Sequence, residues 1–315
     1  MTGGVHLRRT SEVEWEIGAS GAMHVPARII ASEKLLDGMK GDMCLKQTMD
    51  MATLSGVVGH VVALSDAHQG YGFPIGGVAA FSMDEGIISP GGVGYDINCG
   101  VRLLATNIPV GEFMKRRSTV LRDLAGTIPS GVGKGGDEYG AGEIRKVLRI
   151  GARWAVQEGM GSVEDLERTE EGGGMENADP ADVSERAIER GLPQLGTLGS
   201  GNHFLEIQRV DQIIDPVIAA RLGLNNANVT VMIHCGSRGL GHQVAGDYIR
   251  TMGNKYGFSG LADRELINAP LKSDLGRQYL SAMNCAVNFA FCNRQMIMHQ
   301  VRKCLHKFFP GGQAS

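Results

Sequence analysis

The sequence lacks an excess of basic charge. Its 31 lysines and arginines stand against 34 aspartates and glutamates, which gives a formal net charge of −3 at pH 7 over 315 residues. Bulk electrostatic attraction therefore cannot hold this protein on nucleic acid. Any contact with RNA or DNA has to come from local basic patches, and a polybasic or histone-like binder is excluded.

Long apolar runs are also missing. The stretch Met51–Ser65 contains no Asp, Glu, Lys or Arg, but it is interrupted by His60 and is too short to span a bilayer. Near the N-terminus, Glu12, Glu14 and Glu16 stand where a secretory signal peptide would need an apolar core. We therefore expect a cytoplasmic protein with no membrane partner.

Cysteine is sparse, with 6 residues in 315 and no CxxC pair. A disulfide framework needs more cysteines than this in a chain of such length, so reduced thiols or metal ligands are the better interpretation. The positions are Cys44, Cys99, Cys235, Cys285, Cys292 and Cys304.

Glycine, in contrast, is abundant, and the composition is that of a globular protein. The 46 glycines follow no three-residue period, so they mark sharp turns or close approach of the backbone to a ligand. A hydrophobic content of 43% fills a sizeable core. We expect one domain over residues 1–315 with an exposed polar loop at residues 164–184, where Glu170 to Gly174 reads EEGGG.

The apolar pattern predicts both strands and helices. Short Val/Ala/Ile runs separated by glycine between Thr48 and Val101 favour buried strands. Val229–Ile233 predicts a further strand that ends directly at His234. From Asp274 to Phe309 the spacing of apolar residues predicts one or two long helices.

Four glycine-dense segments carry side chains that bind metals. Asp96 and Cys99 are three positions apart, so a tight turn would let a carboxylate and a thiolate address one ion, with a histidine completing the set. No lysine or arginine occurs between Lys46 and Arg102, which also favours a bound cation as the counter-charge of the carboxylates there. Taken singly, each residue also fits a structural role, as a turn-forming aspartate, a buried thiol or a hydrogen-bonded histidine.

Two further motifs are weak. Residues 131–136 satisfy GxGxxG, but no clear strand precedes them, so a dinucleotide site is not indicated, although Lys134 and the loop amides could meet a phosphate. The run from Cys235 to Gly239 lacks the first glycine of a GxSxG nucleophile elbow, which argues against a serine hydrolase.

At these four segments the chain closely resembles the RtcB family of RNA-splicing ligases. The resemblance extends from about residue 25 to about residue 309 and includes Asn288, Asn293 and Arg294. It implies an RtcB-like mixed α/β fold and the joining of RNA 2',3'-cyclic phosphate or 3'-phosphate ends to 5'-hydroxyl ends, with GTP and manganese. The matching strings are residues 66–77, 89–102, 191–204 and 232–243.

The resemblance also implies roles for individual residues. Asp96, Cys99 and His203 would hold one manganese ion, and Cys99 would bridge to a second ion held partly by His234. The nucleotide would lie beside Asn202, His203, Phe204, Leu205 and Glu206. His68 and Arg238 would contact RNA phosphate, the substrates would be tRNA halves or broken RNA ends, and an archease-like activator is an expected partner.

The family's nucleophilic histidine lies in a glycine-rich segment that has no counterpart in this sequence. We therefore expect the chain to correspond to the N-terminal part of such a ligase, with the C-terminal part missing. Two alternatives stay open: a non-catalytic fragment that binds metal and RNA and needs a partner chain, and a manganese-dependent phosphoesterase.

Overall fold

The computed structural model of the protein describes residues 6–131, 135 and 139–315. Helices and strands occur along the whole of this range, so the predicted mixed α/β class is confirmed. Within the described ranges, no helix combines the length and the apolar character that a bilayer crossing requires.

The chain forms two compact units. The first comprises Met1–Tyr95 and Ala245–Leu280, and the second comprises Asp96–Val244 and Ser281–Ser315. This differs from the single domain expected from the length, because the chain leaves the first unit after residue 95 and later returns to it. Each unit has a sheet and a core of its own.

Short strands and helices alternate along both units. In chain order the elements are β1 (Leu7–Arg9), β2 (Glu14–Ile17), β3 (Ala27–Ile30), α1 (Glu33–Lys40), α2 (Cys44–Met51), β4 (Val57–His68), β5 (Ile75–Phe81), β6 (Ile87–Ile88), α3 (Pro90–Val93), β7 (Gly100–Pro109), α4 (Val110–Thr127), α5 (Ala141–Ile150), α6 (Ala152–Gln157), α7 (Val163–Glu167), α8 (Glu185–Gly191), β8 (Phe204–Arg209), α9 (Pro216–Arg221), β9 (Asn228–Cys235), α10 (Arg238–Tyr256), β10 (Ala269–Pro270) and α11 (Asp274–Phe308).

The first unit is built on a five-stranded sheet in the order β1-β2-β3-β4-β5. Neighbouring strands are antiparallel except β3 and β4, which run parallel. Ala27 and Ile29 of β3 are buried and Arg28 between them is exposed, as the two-residue period of a strand requires. Val61 and Ala63 of β4 join them in the core. A separate antiparallel pair is formed by β6 and β10.

The second unit is built on a three-stranded antiparallel sheet in the order β7-β9-β8. Its central strand is the one predicted at residues 229–233, and it extends to Cys235. Val231, Ile233 and Cys235 point into the core on one face, so His234 lies on the other. The sheet therefore places His234 at the end of its central strand.

Helix α11 provides much of the second core. It is a single helix of 35 residues, which settles the prediction of one or two helices. Phe289, Ile297 and Val301 are fully buried along it. The polar side chains of Asn293 and Arg294 are buried on the same helix, and both belong to the second unit.

Residues 164–184 differ from the exposed polar loop that their composition predicts. They contain most of α7 and two 3₁₀ turns, and they bury Asp165, Gly173 and Pro180. The physical reason is an ion pair: Asp165, only 6% exposed, accepts hydrogen bonds of 2.7 Å from both terminal nitrogens of Arg302 on α11. Arg302, which is distant in sequence, thus pairs with the carboxylate of Asp165, although the composition around Asp165 predicts that it is exposed to solvent.

Candidate metal centre

One loop supplies two candidate ligands. The amide of Cys99 donates to the carbonyl of Asp96 at 3.0 Å, which closes a tight turn just before β7. Asn98 within this turn has φ +56°, a left-handed conformation that asparagine tolerates better than most residues. The turn therefore directs the carboxylate and the thiol, three positions apart, to the same side, as the spacing predicts.

The sheet of the second unit brings two histidines to this loop. His203 immediately precedes β8, and His234 lies on β9 directly opposite Phe204 of β8 and Val101 of β7. Because β7 begins one residue after Cys99, the antiparallel register fixes which residues share this end of the sheet. The four side chains thus meet where β7 starts, β8 starts and β9 ends.

The distances between the side chains define a compact cluster. Nε2 of His203 lies 2.6 Å from Oδ2 of Asp96 and 3.3 Å from Sγ of Cys99. Nε2 of His234 lies 3.2 Å from the same sulfur. Ligand atoms of Asp96, Cys99 and His203 all lie within 4.8 Å of one another. His234 joins the group through its contact with Cys99.

The ring of His203 is oriented for metal binding. Nδ1–H of His203 donates to the carbonyl oxygen of Leu198 at 3.1 Å, and Nε2 faces the cluster, where it donates to Asp96 and where a metal ion would replace its proton. Burial disfavours the charged ring, but hydrogen bonds with Asp96 and the thiols of Cys235 and Cys99 outweigh it and raise its pKa to about 12. The groups that stabilise the proton on the His203 ring would also stabilise a divalent cation at Nε2.

Asp96 and His234 are in the forms that bind metals. Burial opposes ionisation of Asp96, but its hydrogen bond with His203 prevails and lowers the pKa of the carboxyl. Burial and the positive charge of His203 both lower the pKa of His234, which leaves that ring neutral. A carboxylate, a thiol and two imidazoles suit a borderline divalent transition ion, so these residues fit a metal centre.

The backbone leaves room for the Asp96 carboxylate. Its Oδ1 accepts from the amide of Arg238 at 3.0 Å and from the hydroxyl of Ser237 at 3.3 Å. A Cβ on Gly236 would lie 2.5 Å from both carboxylate oxygens. The glycine in this segment is therefore a requirement of the site, as the glycine content indicates.

The residues predicted to border a nucleotide lie along β8 and just before it. Asn202 is exposed, and its Nδ2 lies 3.9 Å from Sγ of Cys99. The ring of Phe204 packs against His234 with centroids 5.3 Å apart, and Leu205 joins the core. Glu206 is exposed and accepts from Gln208 at 2.8 Å. Asn202 and His203 are thus at the cluster, while Leu205 is mainly structural.

The two predicted phosphate contacts lie in different units. His68 is exposed at the end of β4 in the first unit, with Nδ1 2.9 Å from the carbonyl of Asp66. Arg238 is half-buried in the second unit, its Nε has no hydrogen-bond partner, and no ion pair of the described residues includes it. A Cβ on Gly199 would collide with its guanidinium. Its Nη1 lies 3.5 Å from Nδ1 of His203, so Arg238 is a positioned cation beside that ring.

The family resemblance includes Asn293 and Arg294 of α11, but sequence reasoning gave them no role at the site. Asn293, Arg294 and Gln295 are three consecutive polar residues that are all buried inside an otherwise apolar helix. That interruption of an apolar pattern was the available signal. The GxGxxG segment at residues 131–136 lies largely outside the described residues, so its phosphate prediction is not addressed by the structure.

The chain matches a known protein family over most of its length. Residues 47–315 match the family model described as tRNA-splicing ligase RtcB. Curated proteins named tRNA-splicing ligase RtcB from Thermococcus kodakarensis, Nanoarchaeum equitans and Pyrobaculum aerophilum are 50%, 49% and 48% identical to the chain. These alignments cover 97%, 96% and 97% of this chain, and the chain spans 64% of the length of each of these relatives.

Proposed function

The chain belongs to the tRNA-splicing ligase RtcB family, and from this premise we propose that it takes part in joining RNA ends at the Asp96, Cys99, His203 and His234 cluster. The observation that carries the proposal is the convergence of a carboxylate, a thiol and two imidazoles, with the guanidinium of Arg238 lying 3.5 Å from Nδ1 of His203. Phosphate-bearing ends are the substrates that such a combination suits, because a cation and an arginine together offset phosphate charge.

We propose manganese and GTP as the cofactors. Asp96, Cys99 and His203 would hold one ion, and Cys99 with His234 would contribute to a second. When bound, the ions would neutralise phosphate charge and orient the reacting oxygens for in-line displacement. Asn202 stands exposed beside Cys99, where its amide can donate to a nucleotide phosphate.

The reacting ends we propose are a 2',3'-cyclic phosphate or 3'-phosphate and a 5'-hydroxyl. The chain's own residues would mainly bind and orient: Arg238 would hold a phosphate, and Leu198 would fix the tautomer of His203. His68, exposed on the first unit, is proposed as a second phosphate contact. Holding a reacting end in place in this way removes a large entropic part of the barrier to its reaction.

The test is a ligation assay on the 315-residue chain. An RNA with a 2',3'-cyclic phosphate and one with a 5'-hydroxyl are incubated with Mn²⁺ and GTP, and a parallel reaction adds an archease, the activator we propose. Joined product that needs both cofactors and disappears in Cys99→Ser supports the proposal. Phosphate release without GTP would indicate a manganese-dependent phosphoesterase instead. RNA binding without turnover would indicate a metal- and RNA-binding chain that acts with a partner.

A further inference from the structure

Arg294 is a buried cation that lacks an acidic partner. Its side chain lies on α11 and the residue is 4% exposed. Nη1 donates to the carbonyl oxygens of Cys235 at 2.6 Å and Asn98 at 2.8 Å, and Nη2 donates to Oδ1 of Asn98 at 3.0 Å. All three acceptors are neutral, and none of the ion pairs formed by the described residues includes Arg294. A buried charge without a counter-ion is costly, so its presence needs a reason.

The contacts of Arg294 fall on the turn that carries two candidate ligands. Asn98 is the left-handed residue between Asp96 and Cys99, and Arg294 holds both its backbone and its side-chain oxygen. A left-handed asparagine is a minor conformation that persists only where its surroundings fix it. The guanidinium therefore fixes the turn on which the separation of the carboxylate and the thiol depends.

The same guanidinium also reaches the strand that carries His234. Its bond to the carbonyl of Cys235 joins the end of β9 to the turn at Asn98. Gly100 gives it access, because a Cβ there would come within 3.4 Å of the guanidinium carbon of Arg294. One planar group thus connects the turn of Asp96 and Cys99 to the strand of His234, which is geometry that lysine cannot reproduce.

The preceding residue, Asn293, holds the segment behind His203. Its Oδ1 accepts from the amides of Gly196 at 2.7 Å and Thr197 at 3.2 Å, and its Nδ2 donates to the carbonyl of Thr197 at 3.1 Å. The next residue in this segment, Leu198, provides the carbonyl that orients the His203 ring. Asn293 therefore acts on a third candidate ligand through the backbone.

We propose that Asn293 and Arg294 are positioning residues of the metal centre, which hold the Asp96–Cys99 turn, the end of β9 and the backbone behind His203 in the geometry that binds the ion. The negative charge of Asp96 acts on Arg294 from the turn that the guanidinium holds, although the two side chains form no ion pair in the described part of the chain. Burial lowers the pKa of Arg294 to about 10, and the charges of Cys235, Cys99 and Asp96 act in the opposite direction. The inference rests on the proposed metal centre but not on ligation.

The test uses Co²⁺ as the probe, because a cobalt–thiolate bond gives a charge-transfer absorption that reports on Cys99. In Arg294→Met we expect Co²⁺ affinity to fall by about tenfold or more and the absorption band to shift or disappear. Arg294→Lys restores charge without the planar fork, so we expect affinity to recover only in part. Unchanged affinity and spectrum in Arg294→Met would overturn the proposal.

The matched control is Asn288→Ala on the same helix. Asn288 is fully buried and also bonds to backbone, at Leu148 and Met175, but not to the cluster. We expect it to lower the melting temperature while the cobalt band stays as in the wild type. If this control loses the band as fully as Arg294→Met does, Arg294 contributes only to general stability. That result would overturn the proposal.

A second variant covers the case in which Arg294→Met does not fold. Asn98→Gly keeps a backbone that accepts φ +56° and removes the Oδ1 contact with Arg294 together with the 3.4 Å bond from Nδ2 to the carbonyl oxygen of Val287. We expect a folded protein with several-fold weaker Co²⁺ binding and an altered band, and wild-type behaviour would contradict the role of the turn. Cobalt binding without any ligation would refute the proposed function and leave this inference standing.

Discussion

Nε2 of His203 lies 2.6 Å from Oδ2 of Asp96, although the two residues are 107 positions apart. The pair joins the loop before β7 to the residue before β8, and both strands flank β9 in one sheet. This contact shows that the candidate metal centre is assembled by sheet register. Substitution of either residue should therefore affect metal affinity before it affects other properties.

Loss of the thiol should remove the effect of manganese on stability. In the wild type, Mn²⁺ at 100 times its dissociation constant should stabilise the fold by about 2.7 kcal/mol. In Cys99→Ser we expect this increment to be largely lost, because the hydroxyl is a far weaker ligand than a thiolate. Thermal unfolding with and without Mn²⁺ measures it. Cys44→Ala, a buried thiol in the other unit, should keep the increment, and its loss there would count against the assignment.

A methyl group at Gly236 should damage the site. The added Cβ would lie 2.5 Å from the Asp96 carboxylate, so Gly236→Ala is expected to cost about 1–3 kcal/mol and to weaken Mn²⁺ binding. Denaturant unfolding and a Mn²⁺ titration check both effects. In Gly246→Ala, where nothing lies within 4 Å inside α10, the change should be neutral or stabilising by up to about 1 kcal/mol. Equal behaviour of the two variants would contradict the steric argument.

The buried ion pair of Asp165 and Arg302 should make stability depend on acid pH. Burial opposes ionisation of Asp165, but the hydrogen bonds from Arg302 prevail and lower its pKa to about 2. Since the unfolded carboxyl has a pKa of about 3.9, the stabilisation is complete above that pH and is lost as the pH falls towards 2. Arg302 is partly exposed and screened by solvent, so we expect a loss of about 1–2 kcal/mol.

The variant Asp165→Asn isolates this effect. Its stability between pH 4 and pH 2 should fall less steeply than that of the wild type, by about the contribution of one carboxyl. Urea unfolding at several pH values gives both curves. Parallel curves would show that other carboxyls dominate the acid transition.

Removal of the Arg238 charge should weaken the binding of phosphate-bearing RNA. We expect Arg238→Met to reduce affinity for a 3'-phosphate RNA. The slope of log affinity against log salt concentration should also fall, by the amount expected for about one phosphate contact. Fluorescence anisotropy at several salt concentrations measures both. Arg221→Met removes an exposed charge at the end of α9 and should leave affinity nearly unchanged. An equal loss in both variants would point to general charge rather than a positioned contact.

How much the sequence could predict depends on how local each feature is. The spacing of Asp96 and Cys99 already required a tight turn, and alternation of apolar residues gave the strand that ends beside His234. The glycine-dense segments indicated close approaches, of which Gly236 against Asp96 is one. Family membership follows from the same segments, because ordered strings of this length do not recur by chance.

Tertiary structure alone decided the long-range partners. Nothing near Asp165 in sequence indicates Arg302, so its segment reads as a solvent loop although the carboxylate is buried. Nothing near Asn98 indicates that Arg294, 196 positions away, holds its left-handed turn. Local periodicity reports which face of an element is apolar, but which buried polar groups satisfy one another is settled only when the elements pack. For this protein the residue types of the candidate site were determined by the sequence, and their geometry was determined by the sheet register and by α11.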